Sequence, residues 1–226
     1  MAGHEQGHGR TIDVQPERLE RWLAGFAERH GPTTHEASAG RVEVVAEDGA
    51  RAACEVPFPP LVVDEAAPYG GLPGHATRDR HVGVLLVRLG GHAAGVFRGT
   101  ELVASKVGSR LVQGRSAAGG QSQKRFARRR ELQARQARLQ AAAVAARVLL
   151  PHLADLDAVV LGGDRRGVDE VLGDRRLAVL RPLVVPRFLD VPDPRQRVLV
   201  GTPRLFRSVR IDLVEPPAGL ARPPYG

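Results

Sequence analysis

A single cysteine, Cys54, is present among 226 residues, so no disulfide can form within the chain and no cysteine-based metal cluster can be built. Lysine is nearly missing too: Lys106 and Lys124 are the only two, and arginine supplies the rest of the positive charge. Aromatic residues make up 4% of the chain, which leaves Leu, Val and Ala to build its core. No apolar run approaches the ~20 residues of a membrane-spanning helix. The longest, near Ala141 to Leu150, is interrupted by Arg147. The first ten residues, MAGHEQGHGR, lack the apolar stretch of a signal peptide. These absences exclude a disulfide scaffold and a helical membrane protein, and the expected location is the cytoplasm.

What is present is enough for a folded protein: 42% of residues are hydrophobic, and the length suits one domain with a small appendage. The net charge of +8 is unevenly spread. From Lys106 to Arg147 there are eleven basic residues and one acid, Glu131, a local charge of +10 that leaves −2 for the remainder. One basic segment on an otherwise slightly acidic chain points to a polyanion partner, nucleic acid first.

The hydrophobic pattern divides the chain. Residues 1–10 read as a disordered start. Pro16 opens a helix in which Leu19, Trp22, Leu23 and Phe26 recur at helical spacing to about His30. Residues 41–46 and 51–56 read as a β-hairpin around Glu47-Asp48-Gly49, and the proline- and glycine-rich residues 57–80 as a connection. Residues 81–89 (HVGVLLVRL) form a central strand, followed by 93–98 and 101–107 in an antiparallel meander. After a polar, glycine-rich loop, residues 123–150 form one long helix ended by Pro151. Leu132, Leu139, Ala143, Ala146 and Leu150 are its expected buried face. A strand at 158–161, a helix from Gly163 to about Leu177, an extended segment at 183–189 and a last strand at 209–214 complete an α/β sheet covered by helices. The expected boundaries are 11–80 for the helix, hairpin and connection, 81–215 for the main domain and 216–226 for a tail.

The stretch AGGQSQKRFARRRE begins at Ala118. Gly-Gly-Gln alone is a weak signal, because Gly-Gly also occurs at 70–71, 90–91 and 162–163. A flexible loop before a solvated basic helix would explain the tripeptide by itself. The wider pattern is more specific. Gly119-Gly120-Gln121-Ser122, then Arg125-Phe126-Ala127-Arg128 and Arg130, resembles the catalytic loop and following helix of eukaryotic and archaeal class-one peptide release factors. The layout of the whole chain is similar to the actinobacterial branch of the Vms-like release factors, which are peptidyl-tRNA hydrolases. The segments Trp22-Leu23…Phe26…Arg29-His30-Gly31 and Pro57-Phe58-Pro59-Pro60 contribute to that likeness.

The resemblance implies an α/β domain with an RNase H-like mixed sheet, of the release-factor middle-domain type, carrying a small N-terminal helix and β-hairpin extension. It implies ribosome-associated cleavage of the ester between nascent peptide and tRNA. Gly119, Gly120 and Gln121 would be catalytic, with Gln123 the alternative glutamine because Gly120 to Gln123 has the looser Gly-x-x-Gln spacing of some relatives. Arg115, Lys124, Arg125, Arg128, Arg129, Arg130 and Arg135 would bind RNA. The partners would be the large-subunit ribosomal RNA and peptidyl-tRNA, without membrane, metal or small-molecule cofactor. The sequence lacks the asparagine-isoleucine-lysine-serine motif of termination factors. It also shows no separate codon-reading domain, so codon-independent rescue is expected.

Competing chemistries are weaker. Metal-dependent nucleases of this fold place a carboxylate on the first strand, and residues 81–89 have none. Asp155, Asp157, Asp164, Asp169 and Glu170 suit caps and helix surfaces. The histidines lack metal-ligand spacing, Cys54 suits buried packing, and Ser105 and Ser122 have no evident His–Asp partners. Gly162-Gly163 after a strand suits a phosphate site or a plain turn. A non-catalytic ribosome- or RNA-binding protein that keeps the fold is the alternative to a hydrolase.

Overall fold

The computed structural model describes residues 9–88, 91–109 and 122–216, with the backbone alone for residues 109 and 122–130. The elements run β1 (Gly9–Val14), α1 (Leu19–His30), β2 (Thr33–Ala37), β3 (Arg41–Ala46), β4 (Arg51–Glu55) and α2 (Leu72–Thr77). Then come β5 (His81–Arg88), β6 (Gly91–Arg98), β7 (Glu101–Ser109), α3 (Ser122–Leu149), β8 (Ala158–Gly163) and α4 (Arg165–Leu172). The chain closes with β9 (Val184–Leu189), α5 (Gln196–Val200), α6 (Pro203–Phe206) and β10 (Val209–Val214). The described residues form two compact units, those up to residue 78 together with those from residue 204 on, and those within 79–203.

The first unit is a five-stranded antiparallel sheet in the order β1-β10-β4-β3-β2. Strands β3 and β10 alternate buried and exposed positions, so each offers one apolar face. Onto that face α1 sets Leu19, Leu23 and Phe26, all fully buried with Val42, Val44, Ala52, Cys54, Ile211 and Leu213. Each of the Leu, Val, Ile and Phe side chains among them contributes about 2 kcal/mol on leaving water. Burial pushes the Cys54 thiol up to about 12, in keeping with a packing role.

Here the structure departs from the sequence reading. The expected hairpin is the middle of a larger sheet, and β1 already begins at Gly9. The last strand, β10, does not join the main domain's sheet; it lies between β1 and β4, with Ile211 opposite both Ile12 and Cys54. Alternation marks a strand but not its neighbour. Residues 57–80 are also more than a connection, because α2 and the preceding segment bury Leu61, Leu72 and Ala76 in this core.

The second unit holds the mixed sheet, in the order β7-β6-β5-β8-β9. Strands β5, β6 and β7 form the antiparallel meander, whereas β5, β8 and β9 run parallel. This is the mixed α/β arrangement expected. Central strand β5 is buried on both faces, which explains its unbroken apolar run. Its Leu85 and Val87 join Ala94, Val96 and Val159 beneath α3, in one core with Ala141, Ala142, Ala145, Val148 and Leu149. On β6, Gly95 leaves room for Leu199 of α5, since a Cβ there would stand 3.1 Å from the Leu199 side chain.

The buried face of α3 is not the expected one. Leu132 and Leu139 are 53% and 56% exposed, and alanines form the buried stripe. The small side chains let the helix approach the sheet closely. The two leucines belong to a stretch, residues 131–140, in which no side chain is buried. The expected helix from Gly163 to Leu177 is also shorter: α4 stops at Gly173, and a 3₁₀ segment covers Arg175–Leu183.

Candidate active site

Parallel β5, β8 and β9 set their carboxyl ends on one edge of the second unit's sheet. Register places the start of β6 and the end of β7 on the same edge: Arg88 faces Gly91, Gly91 faces Ser109, and Val87 faces Gly163. Connections beyond the carboxyl ends of an open α/β sheet are where ligands ordinarily bind. The connection from β7 to α3 leaves from this edge. Its residues, 110–121, lie outside the described ones, and with them Arg115, Gly119, Gly120 and Gln121.

The anchors on either side of that connection are described. On the β7 side, His92 stands opposite Gly108 and is 7% exposed. Its ring occupies the space where a Cβ on residue 108 would project, so only glycine fits there. Burial holds the His92 imidazole below its ordinary pKa. Above about pH 6.5 the ring is neutral in both folded and unfolded chains. Below that value the unfolded chain takes up a proton that the folded one resists, so stability contributed by the neutral ring is lost as pH falls. His92→Phe should therefore flatten the decline in thermal stability between neutral pH and pH 5. An unchanged decline in melting scans would show that the His92 ring does not set it.

Neighbouring strand ends are held just as closely. Arg88 Nη1 donates to the Val191 carbonyl at 2.8 Å, tying β5 to the segment after β9. The Arg165 guanidinium sits 4.3 Å from the centre of the Phe188 ring. Asp164 caps α4 by accepting from the Gly167 N–H at 2.9 Å. That carboxylate occupies the helix start, so the Gly162-Gly163 turn is a strand-to-helix turn and offers no place for a phosphate. Sequence reasoning missed Arg88 and His92, because their partners appear only once strand register is known.

On the other side, α3 begins at Ser122, which makes Gln123 its second residue. Lys124, Arg125, Arg128, Arg129 and Arg130 lie in its first turns, where the backbone alone is described. Arg135 is exposed. Arg138 is paired with Glu170, 3.0 Å away on α4. Sixteen residues of α3 precede Arg138, ~24 Å of helix at 1.5 Å per residue. From residue 131 to residue 140 no side chain of α3 is buried, so Arg135 and Arg138 stand on a part of the helix that adds nothing to the core. Among the described residues, no group of three His, Cys, Asp or Glu side chains is placed to hold a metal ion, and no helix is long and apolar enough to cross a membrane.

Comparison with known proteins gives a family match and similar solved structures. A family model described as the Actinobacteria/chloroflexi VLRF1 release factor matches residues 80–212. Among solved structures, one described as an archaeal protein is similar at 13% identity, covering 87% of this chain and 74% of the other, with a TM-score of 0.40. The crystal structure of the archaeal translation termination factor aRF1 is similar at 13% identity, covering 89% of this chain and 68% of the other, with a TM-score of 0.41. No curated protein matches.

Proposed function

The chain belongs to the Actinobacteria/chloroflexi VLRF1 release-factor family, and from that membership we propose that it is a peptidyl-tRNA hydrolase acting on the ribosome. One observation carries the reading. The tripeptide Gly119-Gly120-Gln121 falls inside the matched segment, in the connection between the pinned end of β7 and the first turn of α3.

The reaction is attack of water on the ester carbonyl that joins the peptide to the tRNA 3′ oxygen. The carbon–oxygen bond breaks, the 3′ oxygen takes a proton, and the peptide leaves as a carboxylate. The ester is already activated, so the protein needs to supply no nucleophile. Its task is to enter an RNA-walled centre, admit one water and stabilise charge. Gly119 and Gly120 carry no Cβ, which gives the loop access to positive φ and a narrow profile. The Gln121 N–H donates to the developing oxyanion or to the departing 3′ oxygen, and its side-chain amide orients the water without adding charge. A carboxylate in that position would be repelled by surrounding phosphates. Arg115, Lys124, Arg125, Arg128, Arg129, Arg130 and Arg135 hold phosphates of ribosomal RNA and tRNA around the loop. Gln121 is favoured over Gln123 as the critical glutamine, because Gln123 already has helical backbone in α3.

The test is single-turnover release of labelled peptide from purified ribosomes carrying peptidyl-tRNA. Release at similar rates with a sense or a stop codon in the decoding site is the expected result. Binding without release would replace the hydrolase with a non-catalytic ribosome binder. A strong preference for stop codons would make the protein a termination factor.

A further inference from the structure

The first unit has a cleft of about 860 Å³ between α1 and β1, lined, except for Arg204, by residues that precede the segment matching the release-factor family. Its α1 wall follows from helical spacing. Arg18, at the entry to α1, and Arg21, Trp22, Gly25 and Arg29 within it stand at i, i+3, i+4, i+7 and i+11, on one side of the helix. The other wall is β1 from Ile12 to Val14 with Gln15 just after it, joined by Arg204. Gln15 Nε2 donates to the Arg204 carbonyl at 2.9 Å, which fixes that arginine's backbone beside the strand.

The charge in the cleft is one-sided. Arg18, Arg21, Arg29 and Arg204 are all exposed, and none has a carboxylate partner among the described residues. Of the two acids on the rim, Asp13 is engaged by Arg210 at 3.5 Å and by the Ser208 hydroxyl at 3.3 Å, which leaves Glu28. Trp22 is half-buried, stacked on Phe26 at 5.7 Å between ring centres with 16° between planes. One side of the indole thus rests on the core while the residue still lines the cleft. Gly25 keeps the floor beside it low, since a Cβ there would touch only the Arg29 guanidinium at 3.4 Å.

The geometry points to a binding site for single-stranded RNA in this cleft. Guanidinium forks match phosphate oxygens, and an aromatic face beside them accepts an unstacked base whatever its identity. An acidic peptide would meet the same arginines but would gain little from the indole. A duplex keeps its bases stacked away from it. The inference goes beyond the hydrolase reading and does not rest on it.

Trp22 is the only tryptophan in the chain, so its emission reports on this cleft alone. Titrating the full chain with a short oligouridylate, without ribosomes, should quench that emission in step with binding followed by anisotropy of a labelled copy. Arg21→Gln with Arg29→Gln should move both the quench and that binding to about tenfold higher oligouridylate and flatten the salt dependence by ~0.7 log units for each phosphate no longer held. Gly25→Leu should abolish the quench while every charge is kept, and circular dichroism would confirm that α1 remains folded. Oligouridylate binding with unchanged emission would overturn the assignment. So would equal quenching by polyglutamate or by an RNA duplex, or unaltered quenching in either variant. The release assay reads none of these signals, so the two readings fail separately.

Discussion

Gly120→Ala should lower single-turnover peptide release by about 100- to 1000-fold, the loss typical of a misplaced oxyanion donor in a preorganised site. The added methyl restricts the backbone where the loop has most need of freedom, and so disturbs both the reach of the loop and the aim of the Gln121 N–H. Gln121→Ala keeps that N–H and removes the amide proposed to orient water, so its loss should be smaller but still tenfold or more, roughly the effect of a poorly placed reactant. Gln123→Ala is the internal control. If Gly-Gly-Gln is the working motif, it should leave release within a few-fold of the unmodified rate. If the looser Gly-x-x-Gln is, then Gln123→Ala becomes the damaging change and Gln121→Ala the mild one. All three positions lie before or at the start of α3, so pelleting with ribosomes should show nearly unchanged affinity. Release at the unmodified rate in all three variants would end the catalytic reading and leave a binding protein.

The candidate loop is legible in the sequence because it is contiguous: its glycines, glutamine and following basic residues can be read without knowing the fold. Strands β3 and β5 and helix α3 are legible for a related reason, since strong alternation, an unbroken apolar run and a long polar helix are all local signals. What escapes is whatever depends on distant partners. In β2, Thr33–Ala37 buries no side chain fully, so it carries no alternation, and only its pairing with β3 makes it a strand. In β10, the alternation of VRIDLV is plain, but a neighbour such as Cys54, far back in the chain, is not written in it. The buried face of α3 escapes because leucine dominates a hydrophobicity pattern while alanine meets the sheet. Similarly, His92 is an ordinary surface histidine until register sets it over Gly108.

Gly163→Ala should destabilise the second unit by about 3–5 kcal/mol, the combined scale of backbone strain and overpacking. For a chain of this size that is a fall in Tm on the order of 10 °C. Two effects meet at this residue. Its φ of +99° is a conformation that side-chain-bearing residues rarely adopt. A Cβ built there would also collide with the Val87 carbonyl oxygen. That oxygen has little room to yield, because it accepts from the Asp164 N–H at 2.7 Å. Val87 lies in the central strand, paired with Gly163 itself and followed by Arg88, whose guanidinium holds the Val191 carbonyl. Gly49→Ala separates the two effects. Its φ of +88° is comparable, yet nothing lies within 4 Å of the added carbon, so only the strain of about 1 kcal/mol should remain. Calorimetry of both variants decides the matter. If Gly163→Ala costs no more than Gly49→Ala, then the end of β8 shifts freely against β5, and the edge that carries the connection to α3 is not the fixed base that the register describes.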